Sequence, residues 1–163
     1  MSKNEKELLD ILKKGVSPAA GCTEPAAVAY SAAIARKHQE GELVSLEIWT
    51  DPYLFKNGMR VGMPGVKERG LDMAAALGFV VGRPEKGLLI LDNLSDGHIQ
   101  KAQELIKQKR ITVRINERFN SLYIETLLAT DKGTRRVIIK NNHLNVVSID
   151  NGKELADDKV GMN

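Results

Sequence analysis

The alanine-rich segment from residue 23 to residue 38 places the strongest constraint on how this chain can fold. It carries six alanines, and side chains this small allow another backbone to approach closely. Thr23 is a suitable N-cap, and an acid and a proline, Glu24 and Pro25, both suit the first turn of a helix. The segment therefore predicts a buried helix that ends near His38.

Helical patterns fill the first two thirds of the chain and strand patterns fill the last third. Helical spacing of apolar residues is found at 8–12, 71–81 and 96–107, and strand-like alternation at 44–48, 111–115, 122–129, 136–140 and 144–149. This order indicates the α+β class, with an antiparallel sheet of about four strands and helices packed on one face.

Length and composition indicate one globular unit. The chain has 163 residues, of which 42% are apolar and 28% charged, as in ordinary folded domains. We expect a single α+β domain over residues 1–150, followed by a polar tail over residues 151–163.

Membrane and secreted classes are not expected from this sequence. The longest apolar run, Met73 to Val81, has nine residues, whereas a membrane-spanning helix needs about 20. The N-terminus is charged and lacks the apolar region of a secretory signal. Cys22 is the only cysteine, so no internal disulfide can form. We therefore expect a cytoplasmic location and no membrane partner.

Positive charge is concentrated in residues 101–140. This stretch holds ten Lys and Arg against four Asp and Glu, a charge of +6, which leaves −3 for the rest of a chain of net charge +3. A basic face can attract nucleic acid. The stretch has no aromatic interleaving beyond Phe119 and Tyr123, so we interpret it as a solvated face and expect no nucleic-acid partner.

The sequence Gly21-Cys22-Thr23-Glu24-Pro25 is the first candidate site. If Thr23 caps the helix, Cys22 lies at the helix N-terminus, where unpaired N–H groups and the helix dipole stabilise a thiolate. Gly21 would leave room for a ligand near the backbone, while the charge of Glu24 would raise the pKa of the thiol. A lone structural cysteine is the alternative interpretation.

Two polar turns are further candidates. Lys56-Asn57-Gly58 opens a glycine-rich stretch that runs to Gly70, and such a loop can expose backbone N–H groups to a carboxylate. Asn141-Asn142-His143 lies between two predicted strands. Flexible or purely structural roles remain open for both turns.

Three blocks of this sequence resemble the L-cysteine desulfidase family, relatives of the iron–sulfur L-serine dehydratase α chain. The blocks are GCTEP at 21–25 with its alanine-rich helix, KNGMRVGMPG at 56–65 and GLDMAAALG at 70–78, and the resemblance extends from about Leu8 to Asp150. Residues 142–145 are similar to a fourth block.

The resemblance implies a lyase that converts L-cysteine or L-serine to pyruvate and ammonia, with release of sulfide or water. It implies a [4Fe–4S] cluster with Cys22 as one ligand, and Lys56, Asn57, His143 and Glu24 as substrate-binding residues. One cysteine cannot hold a cluster, so the other ligands would come from a C-terminal domain or a partner subunit. The chain would then be the N-terminal portion of the enzyme, inactive alone.

In a second hypothesis the chain has the same domain but has lost the lyase activity. In that case the chain would be a stand-alone regulatory module that binds an amino acid through the glycine-rich loop. A small nucleic-acid binder that uses residues 101–140 is the third hypothesis.

Overall fold

The computed structural model describes residues 3–15, 19 and 21–152. The helices in this part of the chain are α1 (Lys3–Gly15), α2 (Thr23–His38), α3 (Pro52–Gly58), α4 (Leu71–Val81), the 3₁₀ helix Pro84–Leu89 and α5 (Asp96–Lys107). The strands are β1 (Leu43–Thr50), β2 (Ile111–Ile115), β3 (Tyr123–Thr130), β4 (Gly133–Lys140) and β5 (Val146–Asp150).

The strands form one sheet in the order β2-β1-β3-β4-β5. Strand β1 pairs with β2 in parallel and with β3 in antiparallel orientation, and Ile48 lies opposite both Val113 and Thr126. The remaining pairs, β3 with β4 and β4 with β5, are antiparallel. The sheet is therefore mixed, and the earliest strand of the chain, β1, is an internal strand next to the edge strand β2.

Helices α2 and α4 form a layer against one face of the sheet. Ser31 of α2 shares a hydrogen bond of 2.6 Å with Thr126 of β3, both fully buried, which fixes the helix on that face. The two helices approach so closely that a Cβ on Gly78 would lie 2.0 Å from the backbone oxygen of Ala29. The small side chains of α2 therefore allow another backbone to approach closely, as predicted. The prediction of a buried helix at 23–38 is confirmed.

The prediction of the α+β class is confirmed, whereas the prediction of about four antiparallel strands is wrong in its detail. The sheet has five strands and one parallel pair. Alternation along a strand shows which residues share a face but not which strand lies beside it. The connection from β1 to β2 runs through α3, α4 and α5, and a parallel neighbour needs such a long crossover.

Helix α1 has the predicted helical form, but its apolar residues lie outside the core. Leu8, Leu9, Ile11 and Leu12 are 58%, 40%, 62% and 55% exposed. The residues expected to form the polar tail lie outside the described part of the chain from 153 onward, so that prediction is not tested. None of the described helices has the length and apolar character needed to cross a membrane.

Candidate functional site

A cleft lies between the N-terminus of α2 and the C-terminal end of α3. A space of about 370 Å³ is lined by Cys22, Glu24, Lys56, Asn57, Arg60 and Val61. A neighbouring space of about 240 Å³ has Glu24 and Asn57 in its lining as well, and adds residues from the β1 and β3 ends and His143. We call these two connected spaces the Cys22–Glu24 cleft. It brings together all five site residues predicted from the sequence.

The α2 side of the cleft carries a thiol paired with a carboxylate. Cys22 is the N-cap residue of α2, and its Sγ donates a hydrogen bond of 2.6 Å to Oε2 of Glu24 in the first turn. Burial raises the pKa of the Cys22 thiol, and the hydrogen bond to Glu24 raises it further. The group at this position is therefore a thiol rather than a thiolate at neutral pH.

Glu24 is ionised in this arrangement. Burial acts to raise its pKa, but the hydrogen bond from Cys22, the backbone N–H and the electrostatic interaction with His143 outweigh burial and lower the pKa. The thiol donor thus stabilises the carboxylate, and the carboxylate in turn holds the proton on sulfur. The expected effect of Glu24 on the thiol has the sign that we predicted, and it exceeds the effect of the helix terminus.

The opposite wall of the cleft is basic and belongs to α3 and the turn after it. Lys56 and Asn57 lie in the last turn of α3, and Arg60 follows it. Within the described residues, these three exposed side chains form no hydrogen bond or ion pair of their own. Their charges and amide groups are therefore available to a ligand.

Helix α3 is held in place by a buried aspartate that sequence reasoning did not identify. Asp51 is 2% exposed and caps α3, with Oδ1 accepting from the N–H groups of Tyr53 and Leu54 at 3.0 Å each. Its Oδ2 accepts from the N–H of Tyr123 on β3, also at 3.0 Å. Asp51 thereby connects the end of β1, the start of α3 and the start of β3 beneath the cleft.

The glycine-rich stretch after α3 lies beside Cys22. Gly21 has a φ of +87°, and a Cβ there would lie at ordinary contact distance, 3.7 Å, from the side chain of Pro64. Gly21 thus suits a backbone conformation that L side chains rarely adopt, and the ligand space that we predicted beside it stays a prediction. The stretch itself is closed by a bridge between Gly62 and Arg69.

The residues present do not fit an iron–sulfur cluster. The described residues contain no group of three or more His, Cys, Asp or Glu that could hold a metal ion. The one thiol is protonated and hydrogen-bonded to Glu24. The donor set at Cys22 is therefore a single thiol beside a carboxylate, and no step through a cluster follows from it.

Arg60, Asp51 and Asn120 are cleft residues that the sequence analysis missed. Asp51-Pro52 follows the strand pattern at 44–48, and an aspartate before a proline is a helix N-terminus signal. That signal predicts α3. No comparable signal marks Asn120, because its place in the cleft depends on the pairing of β1 with β3.

Fold and cleft together define an α+β domain with a small polar cleft beside a half-buried thiol. Its sequence is 41% identical to a UPF0597 protein of Clostridium tetani over 152 residues, which cover 93% of this chain and 36% of that protein. It is 34% identical to a UPF0597 protein of Clostridium botulinum over 165 residues, which cover 100% of this chain and 38% of that protein. A UPF0597 protein of Clostridium perfringens is 37% identical over 158 residues, 92% of this chain and 37% of that protein.

The chain thus spans little more than a third of the length of the curated relatives it matches. No protein-family profile matches it, and no solved structure gives a significant match.

These comparisons overturn the resemblance stated above. The relatives that match over nearly all of the chain are UPF0597 proteins, and their names indicate neither an L-cysteine desulfidase nor an iron–sulfur L-serine dehydratase. The prediction of the N-terminal part of an iron–sulfur lyase is therefore wrong. The alternative, a stand-alone regulatory module, is likewise without support, since these relatives match the whole of this chain within longer proteins.

Proposed function

We propose that the Cys22–Glu24 cleft binds a small zwitterionic molecule of the amino-acid class. The observation that carries this proposal is the opposition of charges across the cleft, with Lys56 and Arg60 on one wall and Glu24 on the other. A ligand with one carboxylate and one ammonium group matches both walls. L-Serine and L-cysteine, the ligands that the resemblance implied, belong to this class.

Each wall has a distinct part in this proposal. Lys56 and Arg60 bind the carboxylate through charge-assisted hydrogen bonds, for which the arginine offers a planar pair of donors. Glu24, whose pKa is lowered, accepts hydrogen bonds from the ammonium group. Asn57 lines both spaces of the cleft and offers a donor and an acceptor between the two charged ends.

Isothermal titration calorimetry with L-serine and L-cysteine tests the proposal. Acetate and ethylamine serve as single-charge comparators, and we expect both to bind more weakly than either amino acid. Lys56→Gln or Arg60→Gln should weaken binding about tenfold, the effect of losing one charge-assisted hydrogen bond of about 1.4 kcal/mol. Lys101→Gln on the exposed side of α5 is the matched control and should bind like the unmodified chain.

Glu24→Gln distinguishes recognition of the ammonium group from recognition of the carboxylate. It should weaken the binding of L-serine and leave the binding of acetate unchanged, because only the ammonium group contacts Glu24. Absence of binding heat for every compound, or equal affinity in Lys56→Gln and Lys101→Gln, would overturn the proposal.

We also propose a cytoplasmic location for this domain. A half-exposed free thiol at the mouth of a ligand cleft favours a reducing compartment, where it stays unmodified. Fractionation of the source cells, with detection by antibody, tests this proposal, and recovery from the external medium would contradict it.

A further inference from the structure

Helix α1 presents a stripe of large apolar side chains to water. We call Leu8, Leu9, Ile11 and Leu12 the α1 apolar face, and their exposed fractions are 40–62%. In the rest of the protein, the core includes helical residues such as Leu71, Leu77 and Ile34 at 0–5% exposure. Neither the core nor the apolar residues packed against it include any residue of α1.

The distribution of apolar residues in α1 is typical of a helix that packs against another element. Its apolar residues fall within one side of the helix, while Lys6 and Asp10 lie on the opposite side. A helix of 13 residues is only marginally stable alone in water, and most helical stability comes from packing of the apolar side. Burial of the α1 apolar face elsewhere would supply that stability, at about 25 cal/mol per Å² removed from water.

A second copy of this domain is a poor occupant for so small a surface. A helix of 13 residues is about 20 Å long, and a stable interface between separate proteins needs about 800 Å² from each partner. The α1 apolar face offers four large side chains in two turns. It falls well short of a stable dimer interface.

Covalently attached polypeptide is a better occupant. The curated relatives are aligned with this chain over 36–38% of their length, so the remaining 62–64% of each is additional polypeptide. Attachment raises the effective concentration of a docking surface to the millimolar range, so that a smaller contact suffices.

We propose that the α1 apolar face is the docking surface for polypeptide outside these 163 residues, of the kind that forms the rest of the longer relatives. The occupant presents an apolar surface long enough to cover the four side chains of the α1 apolar face. This proposal is independent of the ligand proposed for the Cys22–Glu24 cleft. That cleft is lined by residues of α2 and α3, and no described residue of α1 lines it.

Hydrogen–deuterium exchange tests the proposal on two polypeptides, these 163 residues and the full-length Clostridium botulinum relative, whose alignment covers all of them. We expect rapid exchange for α1 in this chain and at least 100-fold slower exchange for the aligned segment in the longer relative. Equally rapid exchange in both proteins would overturn the proposal.

Two matched variants of this chain test whether the α1 apolar face is covered by a second copy or by the domain itself. Leu8→Ser/Ile11→Ser removes half of the α1 apolar face, and Lys6→Ser/Asp10→Ser alters the opposite side with no change in net charge. We expect both variants to be monomeric in sedimentation equilibrium and to keep the melting temperature of the unmodified chain. We expect only the first to lose binding of a fluorescent hydrophobic dye.

Two results would assign the surface to another occupant. A dimer of the unmodified chain that Leu8→Ser/Ile11→Ser dissociates would assign the face to a second copy. A large drop in melting temperature for that variant alone would place the face inside this domain. Either result overturns the proposal.

Discussion

The buried carboxylate of Asp51 accepts a hydrogen bond of 3.0 Å from the backbone N–H of Tyr123, 72 residues further along the chain. The same carboxylate caps α3 through two other N–H groups. A single side chain therefore fixes the relative positions of a helix and two strands, and the position of Lys56 and Asn57 depends on it.

Asp51→Ala should lower the free energy of unfolding by about 2–4 kcal/mol, because it removes a helix cap and leaves buried N–H groups without an acceptor. Urea unfolding followed by circular dichroism measures this change. Asp131→Ala is the matched control, since Asp131 accepts one exposed hydrogen bond from the N–H of Glu42. Its expected cost is about 0.5–1 kcal/mol, and equal costs for the two variants would contradict the role given to Asp51.

Glu24→Gln should make Cys22 more reactive. Loss of the carboxylate removes one cause of the raised pKa of the thiol, so a larger fraction is thiolate at a given pH. Alkylation by iodoacetamide at pH 7.5 should be several-fold faster in this variant than in the unmodified chain. Glu40→Gln, at a side chain 89% exposed, should leave the rate unchanged. A slower reaction in Glu24→Gln would show that Glu24 activates the thiol instead.

Gly78→Ala should be strongly destabilising because α2 and α4 are in backbone contact at this point. The added Cβ would meet the backbone oxygen of Ala29 at 2.0 Å, and overpacking of this kind costs about 3 kcal/mol or more. Gly97→Ala in α5 is the matched control, since its Cβ would lie 3.7 Å from the nearest atom, Oγ of Ser95. There we expect a gain of about 0.5 kcal/mol from helix propensity. Thermal unfolding of both variants checks the contrast.

Asp150→Asn should reduce stability in a way that depends on pH. Asp150 accepts hydrogen bonds from Nε and Nη2 of the buried Arg136, from Ser148 and from the N–H of Gly152. Burial acts to raise the pKa of Asp150, but these bonds, those from Arg136 first, lower it below its ordinary value. At pH 7 we expect Asp150→Asn to cost about 1–3 kcal/mol, since it leaves the guanidinium of Arg136 without its charged partner.

The sign of the pH effect follows from the lowered pKa. The unfolded chain has an aspartate pKa of about 3.9, so the contribution of Asp150 is complete above that value and is lost as the pH falls through the lower, folded-state pKa. The stability difference between the unmodified chain and Asp150→Asn should be constant from pH 6 to 7 and shrink below pH 4. Asp10→Asn, on the exposed side of α1, is the matched control, and at pH 7 its free energy of unfolding should lie within about 0.5 kcal/mol of that of the unmodified chain.

The sequence alone was sufficient for those features that depend on local pattern. Periodicity located α4 from Leu71 to Val81 at both ends, and the buried character of α2 followed from its alanines. The parallel pairing of β1 with β2 was not predictable in this way, because it depends on how α4 and α5 return the chain to the sheet. Helix α3 was missed for another reason, since its one clear signal, Asp51 before Pro52, is equally typical of the end of a strand.

The fold brings together residues that the resemblance named as substrate-binding in three distant segments. Glu24 lines both spaces of the cleft, Lys56 lines one of them and His143 the other, and their binding role stays a prediction. Both opposing effects on the Cys22 thiol follow from the sequence, but their balance does not, because burial and the hydrogen bond to Glu24 together outweigh the helix terminus. The burial of a side chain becomes known only when the surrounding elements are placed. The protonation state of a group is therefore harder to predict from a sequence than the groups that lie near it.

The internal position of β1, between β2 and β3, has a consequence for synthesis on the ribosome. Both neighbours of β1 are translated after it, and the second is complete only at Thr130, roughly 80 residues after Thr50. At about 5–20 residues per second, β1 waits roughly 4–16 s before both of its edges can be paired. An unpaired apolar strand is a template for pairing with other chains. A nascent chain of this protein should therefore depend on chaperones until β3 emerges, and its yield should fall most when translation stalls between β1 and β3.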